Sequence, residues 1–415
     1  MAIEERSLPL EALQPGMFVC RIELPWSETP FALQGLQIAS RADIEALRPY
    51  TRTAVVDFRR SVLPEGRSLL LTLGYCAPAG VRLPELRPYP EALPVEQELP
   101  RARSARRTAM GLARRLQDDL RAGRPLELEQ LGEAVQPVVA SVLRSPDAFF
   151  WLVALRRRDP YAYAHALNSA ALATALGRQI GLPAELLVEL AGAALLMDIG
   201  MSLLPDGLCN HGLLLSPAEH RQVQQHVALG LDALASRPGV SESQLEWIAA
   251  HHERHDGSGY PQGLSGAGIP LFARMLGLAD TYDALCSDRP HQKGLSRHDA
   301  TQWLYRERDR LFQAELVEQF GQALGVYPTG TLIELSSGEV AVVSQQNAAR
   351  RLFPKITVLT YPDKTINPAF PQVDLWLDDA VAGGRRTILR ALRPGAHGID
   401  LGQLFLVDDA SEAAE

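Results

Sequence analysis

Residues 251–261 read HHERHDGSGYP, and this stretch decides how the rest of the chain is interpreted. Three of the ten histidines lie within its first five residues, and two of them, His251 and His252, are adjacent. The preceding residues, 245–250, are typical of a helix. The DGSGYP segment is typical of a loop, because glycine accepts positive φ and proline fixes its own φ. Neutral imidazole is the commonest transition-metal ligand in proteins, so a histidine pair at a helix end indicates a metal site.

The chain has the length and composition of an ordinary globular protein with several domains. Its 415 residues are too many for one hydrophobic core, which predicts about two to four domains. Hydrophobic residues make up 46% and charged residues 22%, which is usual for such proteins. Because 41 basic residues face 49 acidic ones, the net charge is −8, with no overall basic field that would favour nucleic acid. We therefore expect no DNA partner.

The cysteine pattern and the hydropathy predict a cytoplasmic protein. The four cysteines are scattered and form no CxxC pair, which suits a reducing compartment and argues against a disulfide framework or a cysteine-rich zinc site. The first residues, MAIEERSLPLEAL, are partly acidic and lack the apolar run of a signal peptide. No apolar run is expected to reach the roughly 18 residues of a membrane span, so no span is predicted. Residues 191–196 are apolar and predict a buried helix.

The pattern along the chain predicts a multidomain α+β protein with six parts. These are a small α+β module at 1–75, a Pro-rich linker at 76–100, connecting helices at 101–144, a helical domain at 145–325, a β-rich segment at 326–407 and an acidic tail at 408–415. Within them, we expect helices at 41–47, 126–143 and 216–235, strands at 53–58, 69–73 and 373–377, and a hairpin at 331–343. The tail is expected to be disordered.

The segment 101–122 carries seven arginines and allows two interpretations. A membrane-surface or nucleic-acid role is one. An amphipathic connecting helix with a solvated arginine face is the other, and it is favoured because charged faces of this kind usually face water.

Residues with metal-binding side chains recur through the helical part of the chain. They are His165, Asp198, His226, His251, His252 and Asp280. Each alone has a simpler explanation, such as a carboxylate at a helix end, a surface histidine or a salt-bridge partner. A carboxylate buried behind Leu195-Leu196 would be costly unless it were paired or bound to a metal. Their joint occurrence in one bundle therefore indicates a metal centre.

Residues 251–264, HHERHDGSGYPQGL, resemble the signature of HD-GYP domains, as do 279–285 (ADTYDAL) and 288–290 (DRP). The resemblance covers about residues 145–325 and implies an all-α HD-type helical bundle of the HD hydrolase superfamily. Such proteins hold two or three metal ions, often iron or manganese, and hydrolyse cyclic di-GMP to pGpG or GMP. The first 75 residues resemble the small domain of unknown function that often precedes this domain, and the β-rich segment is similar to the one that often follows.

The resemblance also implies roles for particular residues. The metal ligands are expected to be His165, Asp198, His226, His251, His252 and Asp280, with Asp198 as the shared catalytic carboxylate. Arg289 is expected to hold a substrate phosphate. In relatives the loop at Gly259, Tyr260 and Pro261 is associated with docking diguanylate cyclase domains of the GGDEF type. The resemblance leaves room for a homodimer.

Several positions depart from the family pattern. Met197 and Met201 stand where the family has the histidine of the His-Asp doublet and a lysine. Tyr161 replaces an acidic ligand of three-metal members, and His291 and Gln292 replace a tyrosine and a basic residue after Arg289-Pro290. The set Asp198, His226, His251 and His252 remains complete, whereas the other set falls to three ligands. We therefore expect one tightly held ion, iron or manganese with zinc or nickel as alternatives.

Three hypotheses for function remain open from the sequence. The first is a catalytically impaired protein that binds cyclic di-GMP or a signalling partner and hydrolyses weakly or not at all. The second is an active metal-dependent cyclic di-GMP phosphodiesterase, in which water or Tyr161 fills the gap at the incomplete site. The third is an interaction scaffold that binds no nucleotide. The two methionines favour the first over the second, because they remove a metal ligand and a cation near the scissile phosphate.

Overall fold

The computed structural model of the protein divides into two compact units. It describes residues 5–24, 29, 35–38, 41–57, 61, 70, 73–74, 84–155, 161–205, 208, 215–235, 237–288, 293–347, 350–378 and 385–405. The first unit contains residues 1–87 and 180–183, and the second contains 88–179 and 184–415.

The first unit is built on a four-stranded antiparallel sheet with the order β1-β4-β2-β3. The strands are β1 (Glu5–Pro9), β2 (Phe18–Ile22), β3 (Leu36–Gln37) and β4 (Thr53–Asp57), and helix α1 is Arg41–Leu47. Buried and partly exposed residues alternate along β4, as expected for a strand with one face on a core. The predicted helix at 41–47 and strand at 53–58 are therefore confirmed. The strand predicted at 69–73 lies mostly outside the described residues.

The second unit contains the helical part of the chain. Its long helices are α2 (Val95–Arg121), α3 (Leu131–Arg144), α4 (Pro146–Leu155), α5 (Tyr161–Ile180), α6 (Ala184–Leu196), α7 (Pro217–Gln224), α8 (His226–Leu234), α9 (Glu242–Ala249), α10 (Leu271–Cys286), α11 (Arg297–Arg306) and α12 (Ala314–Leu324). A short 3-10 turn, Ile199–Leu203, follows α6.

Helix α2 begins at Val95, earlier than the expected start at residue 101, and includes Pro100. Pro100 was expected to lie before the helix, but a contact with a distant part of the chain stabilises an earlier start. Glu98 is fully buried and forms a two-pronged ion pair with Arg144 at the end of α3, with N–O distances of 2.6 and 2.8 Å. Charge-assisted pairs of this geometry are among the stronger polar contacts. The exposed arginines on α2 include Arg103, Arg107 and Arg115. The helix therefore has a largely solvated arginine face.

Two helix boundaries predicted from the sequence were wrong. Helix α3 begins at Leu131 and not at Leu126, because residues 124–128 are extended and bury Leu126 and Leu128 on either side of an exposed Glu127. The helix expected at 216–235 is two helices. Ser216 does form the predicted capping box with Glu219. The chain then turns at Gln225, and the imidazole Nδ1 of His226 lies 2.7 Å from the backbone oxygen of Val223.

The prediction that no apolar run is long enough to span a membrane was wrong. Within the described residues, Ala184–Leu203 has a mean hydropathy of 1.8 over an 18-residue window, which is long and apolar enough for a membrane span. However, 61% of that window is buried inside the structure, and the stretch contains the carboxylate of Asp198. A core helix of a bundle passes the same test, so the run is weak evidence for a span. The bent pair α3 and α4 also passes when taken together, with an angle of 113° between its halves.

The C-terminal part of the second unit is a five-stranded antiparallel sheet with the order β8-β7-β6-β5-β9. The strands are β5 (Leu332–Leu335), β6 (Val340–Gln345), β7 (Lys355–Val358), β8 (Gln372–Asp374) and β9 (Ile388–Leu392), followed by α13 (Leu401–Phe405). The predicted hairpin is β5–β6, and Gly338 in its turn has a φ of +86°. Strand β8 ends at Asp374, short of the predicted residue 377, because the Asp374 carboxylate accepts the Trp376 N–H at 2.9 Å and forms a turn.

Both faces of this sheet are packed. On one face Leu332, Val340 and Val342 join Trp151 and Leu155 of α4 in one core. On the other, a second core contains Ile333, Leu335, Ala341, Val343, Ile356, Val358 and Leu375. The expected fold class, an α+β protein with a central helical bundle, a small N-terminal α+β module and a β-rich C-terminal segment, is confirmed.

Candidate metal centre

One part of the site is assembled where two segments that carry ligands approach each other closely at a glycine. Asp198 lies between α6 and the 3-10 turn, and His226 is the first residue of α8. A Cβ atom on Gly200 would lie 2.0 Å from the backbone oxygen of His226 and 2.5 Å from the backbone nitrogen of Gly230. No larger residue fits at position 200, so this glycine allows the two ligand-bearing segments to meet.

A second close approach positions the histidine pair. His251 and His252 directly follow α9, and α10 passes beside them. A Cβ on Gly277 of α10 would lie 2.4 Å from the backbone oxygen of His251. The same helix presents Asp280 one turn further on. Gly277 therefore sets the distance between the histidine turn and Asp280.

The first group of ligand atoms contains Asp198, His226, His251 and His252, all within 4.8 Å of one another. The Asp198 Oδ1 atom lies 3.2 Å from His226 Nε2 and 3.7 Å from His251 Nε2. Both Nε2 atoms are enclosed, and neither has a well-aligned hydrogen bond within the described part of the chain. Buried polar atoms are rarely left in this state without a partner that the protein is built to hold.

The remaining ring nitrogens fix how these imidazoles are presented. His226 Nδ1 donates to the Val223 carbonyl at 2.7 Å, and His251 Nδ1 donates to the Ile248 carbonyl at 2.6 Å. A neutral imidazole that donates from Nδ1 has its lone pair on Nε2, the form that binds a metal. The backbone at the end of each preceding helix therefore selects the ligand tautomer.

The second group contains His165, Asp198 and Asp280. His165 Nε2 lies 2.9 Å from Asp280 Oδ1 and 3.4 Å from Asp198 Oδ2. Its other nitrogen, Nδ1, lies 2.8 Å from Asp283 Oδ2, and Asn168 donates to the second oxygen of Asp283 at 3.0 Å. Asp198 belongs to both groups, so its two oxygens can bridge two adjacent positions.

Asp283 is a site residue that the sequence-based prediction missed. A signal was present, because Asp283 follows Asp280 by one helical turn, and residues three apart share a helix face. Its neighbour His165, however, lies on α5 and far away in sequence, so the contact itself is not visible in the pattern.

The electrostatics of the site favour ionised carboxylates. Burial alone would raise the pKa of Asp198, but contacts with His165, His226 and His251 outweigh it and hold that pKa well below its usual value. Asp280 follows the same logic: burial opposes ionisation, and contact with His165 lowers its pKa below the usual value. Burial, with His251 alongside, holds the pKa of His252 well below its usual value and keeps that ring neutral.

A buried carboxylate and a stacked ring hold the loop after the histidine pair against the site. Buried Glu253 accepts the backbone N–H groups of Gln262 at 2.7 Å and Leu264 at 2.9 Å. The Tyr260 ring stacks on His252, with a centroid distance of 4.6 Å. A Cβ on Gly259 would lie 2.4 Å from the Arg254 nitrogen. Gly259 and Tyr260 thus support the metal centre, whereas Pro261 is exposed.

The structure brings together all of the predicted metal ligands, namely His165, Asp198, His226, His251, His252 and Asp280. Met197, directly before Asp198, is fully buried, and Met201 is partly buried. Arg289, His291 and Gln292 lie outside the described residues, and so does the side chain of Tyr161.

These residues fit a divalent transition metal. Three imidazoles and a carboxylate form a normal set for iron, manganese or zinc. The observation that tests the fit is the pair of enclosed Nε2 atoms on His226 and His251, both directed towards Asp198. The second group offers three ligands, which is the number that catalytic zinc sites commonly use with water as a fourth.

A helical bundle that gathers histidines and aspartates from five segments around a shared carboxylate defines a metal-dependent HD-type protein. Residues 151–316 match the HD domain family, and residues 5–131 match a domain of unknown function (DUF3391). The second match extends well beyond the first 75 residues expected for the N-terminal module.

Curated relatives give the family. The chain is 34% identical to the cyclic di-GMP phosphodiesterase PA4108 of Pseudomonas aeruginosa over 358 residues, covering 85% of this chain and 84% of that protein. It is also 34% identical to the cyclic di-GMP phosphodiesterase response regulator RpfG of Xanthomonas campestris over 170 residues, covering 40% of this chain and 44% of that protein. The chain belongs to the HD-GYP family, and both of these curated relatives are named as cyclic di-GMP phosphodiesterases.

A solved structure is also similar. The HDG"Y"P protein Bd1817 from Bdellovibrio bacteriovorus matches with a TM-score of 0.47 and 14% identity, covering 77% of this chain and 99% of that chain. The likeness is too low to carry a conclusion, so the family assignment rests on the sequence relatives.

Proposed function

We propose that this protein binds cyclic di-GMP at the metal centre and hydrolyses it slowly or not at all. The observation that carries the proposal is the inequality of the two ligand groups. Asp198 and three histidines form one complete set, whereas His165, Asp198 and Asp280 form a set from which the family's histidine, replaced by Met197, is missing.

A bound metal pair would activate water and stabilise the negative charge that develops on a phosphodiester. The residues of this chain have the task of presenting that pair. Asp198 would be a ligand in both groups, and the backbone carbonyls of Val223 and Ile248 hold two histidines in the ligand form. Weak hydrolysis follows from the incomplete group and from Met201, which supplies no cation where the family has a lysine.

The alternative is an active metal-dependent cyclic di-GMP phosphodiesterase giving pGpG or GMP. A specific observation favours it: His165 and Asp280 are already within 2.9 Å, and three ligands plus water are enough for many catalytic metals. The name of the relative PA4108 points in the same direction. A scaffold that binds no nucleotide is the third candidate.

One set of measurements separates the three. The protein as purified is analysed for metal, titrated with cyclic di-GMP by calorimetry, and assayed for pGpG and GMP with iron or manganese under reducing conditions. Metal and binding without turnover support the proposal. Robust turnover that Asp198→Ala abolishes would replace it with the active enzyme, and neither metal nor binding would leave the scaffold.

The partner surface is also part of the proposal. We infer that the loop 256–266 contacts a GGDEF-type diguanylate cyclase domain or another signalling protein, through its exposed residues. Because Gly259 and Tyr260 are packed against the site, changing them would disturb the metal centre as well. Pull-down with Gln262→Ala and Ser265→Ala is the cleaner test, since both residues are exposed and the backbone of Ser265 is extended. Undiminished capture by these variants would argue against the loop as the contact.

Four further expectations remain proposals. The metal is iron or manganese, with zinc or nickel as alternatives. The location is cytoplasmic, on the strength of the cysteine pattern. We also propose the six-part division of the chain, with the acidic tail at 408–415, which limited proteolysis would test. A homodimer is the last of these proposals, and sedimentation measurements would test it.

A further inference from the structure

A second cavity, of about 740 Å³, lies in the second unit away from the metal centre. The end of α4, the chain between α10 and α11, the start of β5 and the segment from β9 to α13 surround it. Cys286 in its wall is six residues beyond Asp280 on α10, which is about 9 Å along a helix. The volume is in the range of small-molecule sites.

The walls of this cleft are mainly aliphatic. They include Leu155, Leu295, Leu332, Leu392, Ile399 and Leu401. All of these except Leu295 belong to one buried core of the second unit, so their positions are set by that core. A ligand with an apolar body would remove this surface from water.

Most polar groups in the cleft are already engaged by the protein. Ser296 accepts the Asp299 N–H at 3.0 Å, and Thr331 donates to the Pro328 carbonyl at 2.5 Å. Asp400 accepts the Gly402 N–H at 3.0 Å, and Asp288 accepts the Gly294 N–H at 2.8 Å. Each of these groups has a partner within the protein, and what the two carboxylates still offer are acceptor sites, which a ligand carboxylate cannot use.

Two cations line the cleft: Lys293 is exposed and lies 3.8 Å from Asp288, whereas Arg297 is partly buried. Its side chain lines the cleft, and the guanidinium has no hydrogen-bond acceptor and no ion-pair partner among the described residues. Its Nε lies beside Gly330, where a Cβ would approach it to 3.3 Å. The fork of donors on this guanidinium matches the two oxygens of a carboxylate.

We propose that this cleft binds a small amphipathic organic carboxylate. The carboxylate pairs with Arg297, and the apolar body lies against the leucines and Ile399. The ligand has one anionic end and few other polar groups, because the remaining polar groups of the cleft are engaged. The inference does not depend on the function proposed for the metal centre.

Calorimetric titration of the full chain with octanoate tests the proposal, with octan-1-ol as the uncharged probe of equal length. Saturable octanoate binding is expected, weakened at least tenfold by Arg297→Ala and less by Arg297→Lys. Octan-1-ol should bind more weakly than octanoate to the unmodified chain and equally to the unmodified chain and Arg297→Ala. Gln403→Trp, at an exposed wall position, should obstruct both probes.

Two controls make the result decisive. Arg306→Ala removes an exposed arginine from the other end of α11 and should leave octanoate binding unchanged. Excess EDTA should also leave it unchanged, because a carboxylate that bound at the metal centre would be lost with the metal. No saturable binding by the unmodified chain, equal affinity in Arg297→Ala, or loss of binding in EDTA would each overturn the proposal. Thermal unfolding of each variant checks the fold, and Arg297→Lys serves if Arg297→Ala does not fold.

Discussion

The Nδ1 atom of His165 lies 2.8 Å from Oδ2 of Asp283, and both side chains are buried. This pairing leaves Nε2 of His165 facing Asp280 and Asp198. A carboxylate behind a metal-binding histidine fixes the orientation of the ring and increases its basicity. Asp283 thus acts on the incomplete ligand group through His165.

Replacing Asp283 should weaken metal binding at the group of His165, Asp198 and Asp280 without removing a ligand. We expect Asp283→Ala to lower the affinity for a second, weakly held ion about 10- to 100-fold, the usual cost of losing such a partner. Asp283→Asn should cost less, because its amide oxygen can still accept from Nδ1. The affinity is measured by competition with a chromophoric chelator. Equal affinity in Asp283→Ala and the unmodified chain would show that the ring needs no support.

Metal content should be close to one ion per chain. The four-ligand group needs nothing from Met197, whereas the three-ligand group shares its Asp198. His226→Ala should remove the ion, because it deletes one of the three imidazoles, and should lower the melting temperature through lost metal stabilisation. Elemental analysis of the purified protein measures the stoichiometry. Two or more tightly held ions per chain would contradict the prediction. His220→Ala, at a position outside both ligand groups, is the matched control.

Hydrolysis of cyclic di-GMP should be partly restorable. The double change Met197→His with Met201→Lys returns a ligand and a cation to the site, and we expect turnover to rise by at least tenfold. Losing one preorganised donor typically costs about 3–4 kcal/mol in barrier, so this rise is conservative. Metal content should move towards two. The assay follows pGpG by chromatography, and Asp198→Ala in the same background should abolish the gain. Unchanged turnover with an intact fold would mean that the methionines are not what limits the site.

Stability should depend on pH through Asp147 at the start of α4. Burial raises the pKa of this carboxyl to about 6 from an ordinary value of 3.8, although Thr329 and the Gln346 N–H both donate to it. Between about pH 4 and 6, the folded state therefore holds a proton on Asp147 that the unfolded state has lost. The resulting stability is fully present below pH 4 and is lost as the pH rises through 6. A difference of two pKa units corresponds to about 3 kcal/mol.

The comparison variant for that prediction is Asp147→Asn, which cannot titrate. The unmodified protein loses stability between pH 4 and 7 and the variant does not. The urea midpoint of the variant, relative to that of the unmodified protein, should therefore rise over this range and then level off. The variant keeps the same contacts at every pH, since its amide oxygen can accept from the Gln346 N–H while its amide nitrogen donates to the Thr329 hydroxyl. If the two proteins kept a constant difference in midpoint over this range, Asp147 would have an ordinary pKa.

The sequence was sufficient for those features that depend on local patterns. The capping box at Ser216 and Glu219, the β5–β6 hairpin and helix α1 follow from residue types at fixed spacing. The candidate ligands were found because the family signature places them at recognisable positions, and the structure gathers them in two groups.

The remaining features depend on contacts between distant residues. Pro100 argued for a helix start beyond it, yet the buried pair of Glu98 and Arg144 lies 46 positions apart in the chain and stabilises an earlier start. Asp283 meets His165 across 118 positions, so spacing cannot reveal it. The break at Gln225 depends on the Val223 carbonyl being taken by the imidazole of His226.

Helix α4 has a consequence for how such proteins can be recombined. Trp151, Ala154 and Leu155 lie in one core with strands β5 and β6, and Asp147 accepts hydrogen bonds from Thr329 and Gln346. The helical bundle and the following sheet are therefore joined by a shared interior rather than by a tether. A chimera or a shortened gene product divided near residue 325 would expose that interior, so the two segments have to be inherited and engineered as one piece.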